Sequence, residues 1–177
     1  IVSALHQGVW KEIHDVFDEY FFKLPIEEAM QFPKDMELYL MLPYDGDHFE
    51  KLWEQGYLPL AVQALPEGIE TLPNIPHQTF INTLHGFAWL TLYMETIVSN
   101  LAWEGPTAAT IARQYRKICT EWVMKTDPEN IWFLDYKYHD FSMRGMNGKS
   151  AIMNSSLGFA SVSRGSDTLP LIPLARK

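Results

Sequence analysis

The sequence predicts a mixed α+β fold, in which a helical region with a small β-sheet is followed by the first α/β units of a parallel sheet or barrel. Apolar residues recur at helical spacing in several long segments, and two short segments rich in β-forming residues end at turns. A C-terminal apolar run leads into a polar loop, a helix and a second short apolar run. We divide the chain into a helical region (1–56), a β unit with two long helices (57–130) and the start of the α/β barrel (131–177).

Composition excludes several classes of protein. Hydrophobic residues make up 47% and aromatic residues 14% of the 177 residues, which is enough to fill a core. The net charge of −8 argues against nonspecific nucleic-acid binding, which needs a basic surface. No uninterrupted apolar run reaches the ~18 residues of a membrane span. We interpret the single cysteine, Cys119, as a buried hydrophobe in a reducing compartment, and we therefore expect a cytoplasmic protein.

The N-terminal third is predicted to be helical. Apolar residues at helical spacing predict one long amphipathic helix over 2–22. Two prolines then interrupt the pattern, with a short helix predicted at 27–31 between them. The apolar segment 36–42 is compatible with either a helix or a strand. A turn precedes a further helix over 48–55.

The middle of the chain is predicted to hold a hairpin-like β unit and two helices. Residues 58–65 and 78–84 favour strands, which we expect to pair antiparallel. Residues 86–102 form the most apolar stretch and predict a largely buried helix. We expect the segment Glu104–Thr107 to end this helix and Thr107 to cap a second helix over 108–124.

This second helix has two chemically different sides. One side is apolar and is predicted to face the core: Ile111, Tyr115, Ile118, Trp122 and Val123. The other side carries Arg113, Arg116 and Lys117, which we interpret as a solvated helix face.

The C-terminal region is predicted to be a β-loop-α-β-loop unit. The apolar run 131–134 predicts a strand that leads into a loop from Tyr138 to Gly145. A helix over 149–157 and a strand over 159–163 follow, and the second strand ends at the segment Ser163–Thr168. Ligands bind at the carboxyl ends of strands in such folds, so these two loops are expected to form one pocket.

The two loops carry residues suited to binding a planar heterocycle. Phe141 can stack on a flat ring, although a phenylalanine at a strand end is more often part of the core. Arg144 can bind a carboxylate or phosphate, or it can be solvated. Asp167 can accept a hydrogen bond from an amide, or it can cap a turn. His139 can contact a phosphate, or it can form a structural pair with a neighbouring aspartate. Together they provide a stacking ring, a cation and an anionic acceptor.

These segments resemble the nicotinamide phosphoribosyltransferases. That family has the pattern Tyr-Lys-x-His-Asp-Phe-Gly-x-Arg-Gly, then a helix, then Gly-Thr-Asp-Thr. The corresponding residues here are Tyr136–Gly145 and Gly165–Thr168. The resemblance extends back through Gly56–Leu60, Leu65–Gly68, Met94–Ile97 and Ala109–Arg113, and more weakly through the opening helix. One departure is Ser142, which stands where the family usually has glycine.

The resemblance implies a role for each residue. Phe141 would stack on the nicotinamide ring, and Arg144 would contact the substrate near its carboxamide and phosphate. Asp167 would accept a hydrogen bond from the carboxamide nitrogen and would repel the carboxylate of nicotinate. Tyr136 would line the approach to the pocket, and His139 would support the site.

The resemblance also implies the whole enzyme's fold and chemistry. It implies a type II phosphoribosyltransferase fold, a homodimer, and transfer of phosphoribose from phosphoribosyl pyrophosphate to nicotinamide in NAD salvage, with Mg²⁺ bound to the pyrophosphate substrate. We expect no nucleic-acid or membrane partner. The segments that bind phosphoribosyl pyrophosphate are not apparent, so we expect an internal fragment with little activity alone. Two alternatives are a non-catalytic ring-binding or dimerisation module and a nicotinate-specific relative.

Overall fold

The computed structural model describes residues 8–41, 43, 45–66 and 68–172. The N-terminal helices are α1 (Gly8–Phe17), a π-helical turn (Asp18–Phe22), α2 (Ile26–Ala29), α3 (Gln31–Leu40) and α4 (Asp47–Gln55). The helix predicted over 2–22 is thus confirmed from residue 8 onward, and its first residues lie outside the described part. Residues 36–40 belong to α3, which resolves the open choice between helix and strand for that part of the segment.

Gly56 explains why α4 ends where it does. Its backbone has φ 70°, the left-handed conformation that glycine adopts without steric cost. The Gly56 amide donates hydrogen bonds to the carbonyls of Leu52 and Trp53, which would otherwise lack partners at the helix end.

The β unit is a two-stranded sheet of β1 (Leu60–Ala64) and β2 (Gln78–Asn82). The Leu65 amide donates to the His77 carbonyl at 2.8 Å, and the Thr83 amide donates to the Pro59 carbonyl at 2.8 Å. Because residue numbers rise on one strand as they fall on the other, the pairing is antiparallel, as predicted.

Two long helices follow: α5 (Leu90–Ala102) and α6 (Glu104–Thr126). Both were predicted, but α6 starts earlier than expected. Pro106 lies in its first turn, where a missing N–H costs nothing, so it does not break the helix. The Thr107 hydroxyl lies inside the helix and donates to the Trp103 carbonyl at 2.7 Å.

The C-terminal region differs most from the prediction. Residues Pro128–Tyr136 form a 3₁₀ helix, α7 covers Ser142–Gly145 and α8 covers Lys149–Ala160. The strands predicted at 131–134 and 159–163 are therefore wrong, whereas the helix predicted at 149–157 is confirmed. The predicted parallel pairing is reduced to one bridge, between Asp140 and Ser166. The described residues therefore show an α+β architecture with one small sheet.

The chain divides into two compact units, which we describe separately. The N-terminal unit contains residues 10–63 and 79–97. Its core is an aromatic cluster around the buried Phe49, whose ring centroid lies 5.3 Å from that of Trp89 and 5.6 Å from those of Phe32 and Tyr93. Edge-to-face contacts of this kind hold the helices of this unit together.

The C-terminal unit is built on residues 64–66, 68–78 and 98–172. Its core lies where α6 crosses α8, and the crossing is made by small residues. Gly105, Ala109 and Ala112 of α6 are buried, and a Cβ added at Gly158 of α8 would lie 2.2 Å from the Gly105 carbonyl oxygen. The two backbones therefore touch, which only glycine permits at this point.

The side of α6 that packs at this crossing is not the side that was predicted to face the core. The apolar stripe expected in the core is largely exposed: Ile111, Tyr115, Ile118 and Trp122 have exposed fractions of 52–61%. The basic side instead makes ion pairs. Arg113 and Lys117 both contact Glu70, at 2.6 and 3.0 Å, and Arg116 contacts Asp135 at 2.8 Å. These three basic side chains stay 36–50% exposed, so this side of α6 is a solvated face as interpreted, and it also carries ion pairs that the sequence did not predict.

Candidate functional site

The two segments predicted to form a pocket lie side by side in the C-terminal unit. The Asp140 amide donates to the Gly165 carbonyl at 3.0 Å, and the Asp167 amide donates to the Asp140 carbonyl at 2.9 Å. This is the parallel bridge between Asp140 and Ser166. It places the residues that flank Asp140 next to Asp167, although no continuous strand leads to either segment.

Phe141 lies at the centre of the candidate site. Phe141 is 46% exposed, so it is not part of the hydrophobic core, which was the alternative to a ligand-stacking role. The Arg144 guanidinium lies over its ring, 4.5 Å from the centroid. The His139 ring is stacked on it, with centroids 6.3 Å apart and planes 30° apart. An exposed ring beside a cation and an imidazole forms a platform for a flat, polar heterocycle.

Asp167 is joined to this platform through His139. Its carboxylate lies 3.5 Å from His139 Nδ1, and its side chain is 53% exposed. The carboxylate therefore keeps access to solvent and can accept a hydrogen bond from a ligand amide. The structure thus brings His139, Phe141, Arg144 and Asp167 together, as the sequence predicted. Tyr136 ends the 3₁₀ helix with its side chain 46% exposed, and its role at the approach stays a prediction.

Sequence reasoning missed the residue that holds these groups in place. Asp140 is 4% exposed, and its carboxylate accepts hydrogen bonds from Ser142, Ser156 and Ser166. Burial raises the pKa of this carboxyl, but the hydrogen bonds from Ser142 and Ser156 outweigh that effect, so its pKa is lowered overall. The only sequence signal was the cluster of serines in α8 and before Asp167, which carries no pattern by itself.

Gly165 fixes the position of the His139 ring. A Cβ added at Gly165 would lie 2.6 Å from the Tyr138 carbonyl oxygen and 2.7 Å from His139 Cδ2. The imidazole therefore lies directly against the glycine backbone, and any larger residue would displace it.

The described residues hold neither a metal-ligand cluster nor a membrane-spanning helix. They contain no group of three or more His, Cys, Asp and Glu side chains placed to hold a metal ion. Among the same residues, none of the helices combines the length and the hydrophobicity that crossing a bilayer requires.

Comparison with known proteins relates this chain to an enzyme family. The chain is 39% identical over 131 residues to a nicotinamide phosphoribosyltransferase from Acinetobacter baylyi, which covers 74% of the chain and 26% of that protein. It is 31% identical over 124 residues to the nicotinamide phosphoribosyltransferase of Xanthomonas campestris, covering 68% of the chain and 26% of the relative.

A third nicotinamide phosphoribosyltransferase, from Mycoplasma genitalium, is 30% identical over 103 residues, covering 58% of the chain and 20% of the relative. No family model matches the chain. The aligned region thus spans a fifth to about a quarter of the length of these curated relatives. The chain is therefore a homologue of the nicotinamide phosphoribosyltransferases, matched to one segment of them.

Proposed function

We propose that this chain supplies the ring-binding part of an enzyme that transfers phosphoribose from phosphoribosyl pyrophosphate to nicotinamide, forming nicotinamide mononucleotide in NAD salvage. The observation that carries the proposal is the grouping of Phe141, Arg144 and Asp167 on one exposed surface. The names of the relatives support the reaction class.

In this proposal the site acts mainly by positioning. Phe141 stacks on the pyridine ring, and Asp167 accepts a hydrogen bond from the carboxamide N–H, so the ring nitrogen is aimed at the sugar carbon. The bond from that carbon to pyrophosphate breaks, and its electron pair leaves with pyrophosphate. The lone pair of the ring nitrogen forms the new bond. The neutral nitrogen carries no proton, so the step needs no general base.

Arg144 supplies the positive charge of the site. Its guanidinium lies over the Phe141 ring, so a pyridine ring that stacks on this face would displace it to the ring's edge, where it could pair with the phosphate of the sugar. The Asp167 carboxylate would repel the carboxylate of nicotinate, which favours nicotinamide as the substrate. Tyr136 is proposed to line the entrance.

The remaining features belong to the whole protein. We propose a type II phosphoribosyltransferase fold, a homodimer and a cytoplasmic location. Mg²⁺ is expected to accompany phosphoribosyl pyrophosphate. The described residues provide no ligand cluster for it, so we assign none of them to the metal and derive no step through it.

Native mass spectrometry and an activity assay on the same purified sample test this proposal. The sample is incubated with nicotinamide and phosphoribosyl pyrophosphate, and nicotinamide mononucleotide is quantified. We expect an assembly larger than the 20.5 kDa chain, with activity. We expect the isolated chain to show little or no turnover. A larger assembly that binds nicotinamide but forms no product would instead indicate a non-catalytic ring-binding module.

A further inference from the structure

The Asp140 carboxylate is buried in the middle of an exposed site. Its residue is 4% exposed, whereas its neighbour Phe141 is 46% exposed and the His139 side chain is 40% exposed. Removing a carboxylate from water is costly unless its oxygens accept several hydrogen bonds. A buried charge at this position therefore needs a structural or functional reason.

The donors to Asp140 come from three separate segments. The Ser142 amide donates to Oδ1 at 2.9 Å, and the Ser142 hydroxyl donates to the same atom. The Ser156 hydroxyl of α8 donates to Oδ2 at 2.6 Å, and the Ser166 hydroxyl donates to Oδ2 at 3.1 Å. One carboxylate thus joins the start of α7, the middle of α8 and the segment that carries Asp167.

The Asp140 backbone makes the second half of the same connection. Its carbonyl accepts from the Asp167 amide at 2.9 Å, and its amide donates to the Gly165 carbonyl at 3.0 Å. The Thr168 hydroxyl accepts from the Met143 amide at 3.3 Å, which is a further bond between the same two segments. The Phe141–Arg144 turn and the Asp167 segment therefore meet at Asp140.

We propose that Asp140 is a positioning residue: its carboxylate fixes the stacking ring of Phe141 relative to the amide acceptor Asp167. This inference rests on the proposed function for its meaning, but the geometry that it predicts exists without a ligand. Charged hydrogen bonds are stronger than neutral ones, so a carboxylate holds three hydroxyl-bearing segments more firmly than an amide can.

Ser142 extends this arrangement through its hydroxyl group. Its hydroxyl contacts both Asp140 and the Ser155 hydroxyl of α8, the latter at 3.1 Å. Glycine, the usual residue of the resembled family at this position, cannot make either contact. The serine therefore offsets its lower backbone freedom by adding a donor to the buried carboxylate.

The test is residue-resolved amide hydrogen exchange on the protein, comparing wild type with Asp140→Asn, which keeps the side chain's shape. We expect the Ser142 and Asp167 amides to exchange faster together, by about tenfold each, while the amides in the centres of α6 and α8 stay unchanged. Unchanged exchange at either amide would overturn the proposal. So would a uniform increase throughout the C-terminal unit, because that would make Asp140 a general stability residue.

A second variant and a pH titration keep the test decisive if Asp140→Asn does not fold. Ser156→Ala removes one donor from outside both site segments, and it should speed exchange at the Ser142 and Asp167 amides in the same direction, by a smaller factor. In wild type, the chemical shift of the Ser142 amide should follow a titration with a pKa below the ordinary aspartate value, because this amide donates to the Asp140 carboxylate. A Ser142 amide that shows no such titration would refute the contact on which the proposal rests.

Nicotinamide binding separates this inference from the proposed function. Asp140→Asn should weaken nicotinamide binding by about tenfold. If wild type binds no nicotinamide, the proposed function fails, and the exchange result still decides the role of Asp140. If wild type binds nicotinamide and the variant binds it equally well, the positioning role is wrong.

Discussion

Replacing Gly165 with alanine gives a sharp test of how tightly the site is built. The new Cβ would lie 2.6 Å from the Tyr138 carbonyl oxygen, 2.7 Å from His139 Cδ2 and 3.0 Å from His139 Nε2. The first of these atoms belongs to the backbone, and the Gly165 carbonyl is itself fixed by the Asp140 amide at 3.0 Å. Neither side can move without breaking the bridge that forms the site.

The magnitude follows from two opposing effects. Overpacking of this kind costs about 1–3 kcal/mol. Alanine also reduces the entropy of the unfolded chain, which returns about 0.4–1 kcal/mol. The difference is about 0–2.6 kcal/mol, and because the new Cβ meets a backbone oxygen we expect Gly165→Ala to lower the free energy of unfolding by about 1–2.6 kcal/mol. The displaced His139 ring would also lose its contacts with Phe141 and Asp167, and nicotinamide binding should weaken.

Urea denaturation of wild type, Gly165→Ala and a matched control measures this effect. Gly145→Ala is the control, because a Cβ at Gly145 meets nothing within 4 Å and its φ is not positive. We expect the control to gain about 0.4–1 kcal/mol of stability, because alanine reduces the entropy of the unfolded chain and meets no clash there. Equal stability of the two variants, or unchanged nicotinamide binding in Gly165→Ala, would refute this description of the site.

Further predictions concern the rest of the C-terminal unit. Gly158→Ala should lower the free energy of unfolding by about 1–3 kcal/mol in the same urea experiment, because its Cβ would lie 2.2 Å from the Gly105 carbonyl oxygen. Equal stability of this variant and wild type would show that the two helices separate easily. Hydrogen bonds from Arg113 and Lys117 lower the pKa of Glu70 from 4.5 to about 2, so the stability from this carboxylate is present above pH 4.5 and is lost as the pH falls towards 2. A carboxyl-carbon NMR titration should show this pKa, and Arg113→Ala should raise it; an unchanged value would contradict the pairing.

Local signals in the sequence explain which elements could be predicted. The antiparallel strands have β-forming residues bounded by turn residues, and α4 ends at a glycine in the left-handed conformation. These features act within a few residues, so they can be read without knowledge of the tertiary structure.

The wrong predictions concern segments whose structure or orientation depends on the elements that pack against them. The run 131–134 is apolar but lacks a period, and it lies within the 3₁₀ helix that begins at Pro128. In α6, periodicity correctly groups Ile111, Tyr115, Ile118 and Trp122 on one side, but it cannot tell which side packs. In this unit the side of α6 with the small residues is the one that packs, because Gly105 lets α8 approach to backbone contact.

The candidate site also contains residues that could be predicted from the sequence and one that could not. Its ring, cation and acceptor residues are close in sequence or belong to one motif, so they could be predicted together. Asp140 could not, because its role depends on hydroxyls from Ser142, Ser156 and Ser166, which come together only in the folded chain.

The central claim is that Asp167 selects nicotinamide on the Phe141 platform. Side-by-side binding titrations of nicotinamide and nicotinate test it most directly, with wild type, Asp167→Ala and the control Asp15→Ala, whose aspartate lies in the other unit with 59% side-chain exposure. We predict that wild type and the control prefer nicotinamide and that Asp167→Ala loses this preference. Equal affinity of wild type for the two ligands, or an unchanged preference in Asp167→Ala, would contradict the claim.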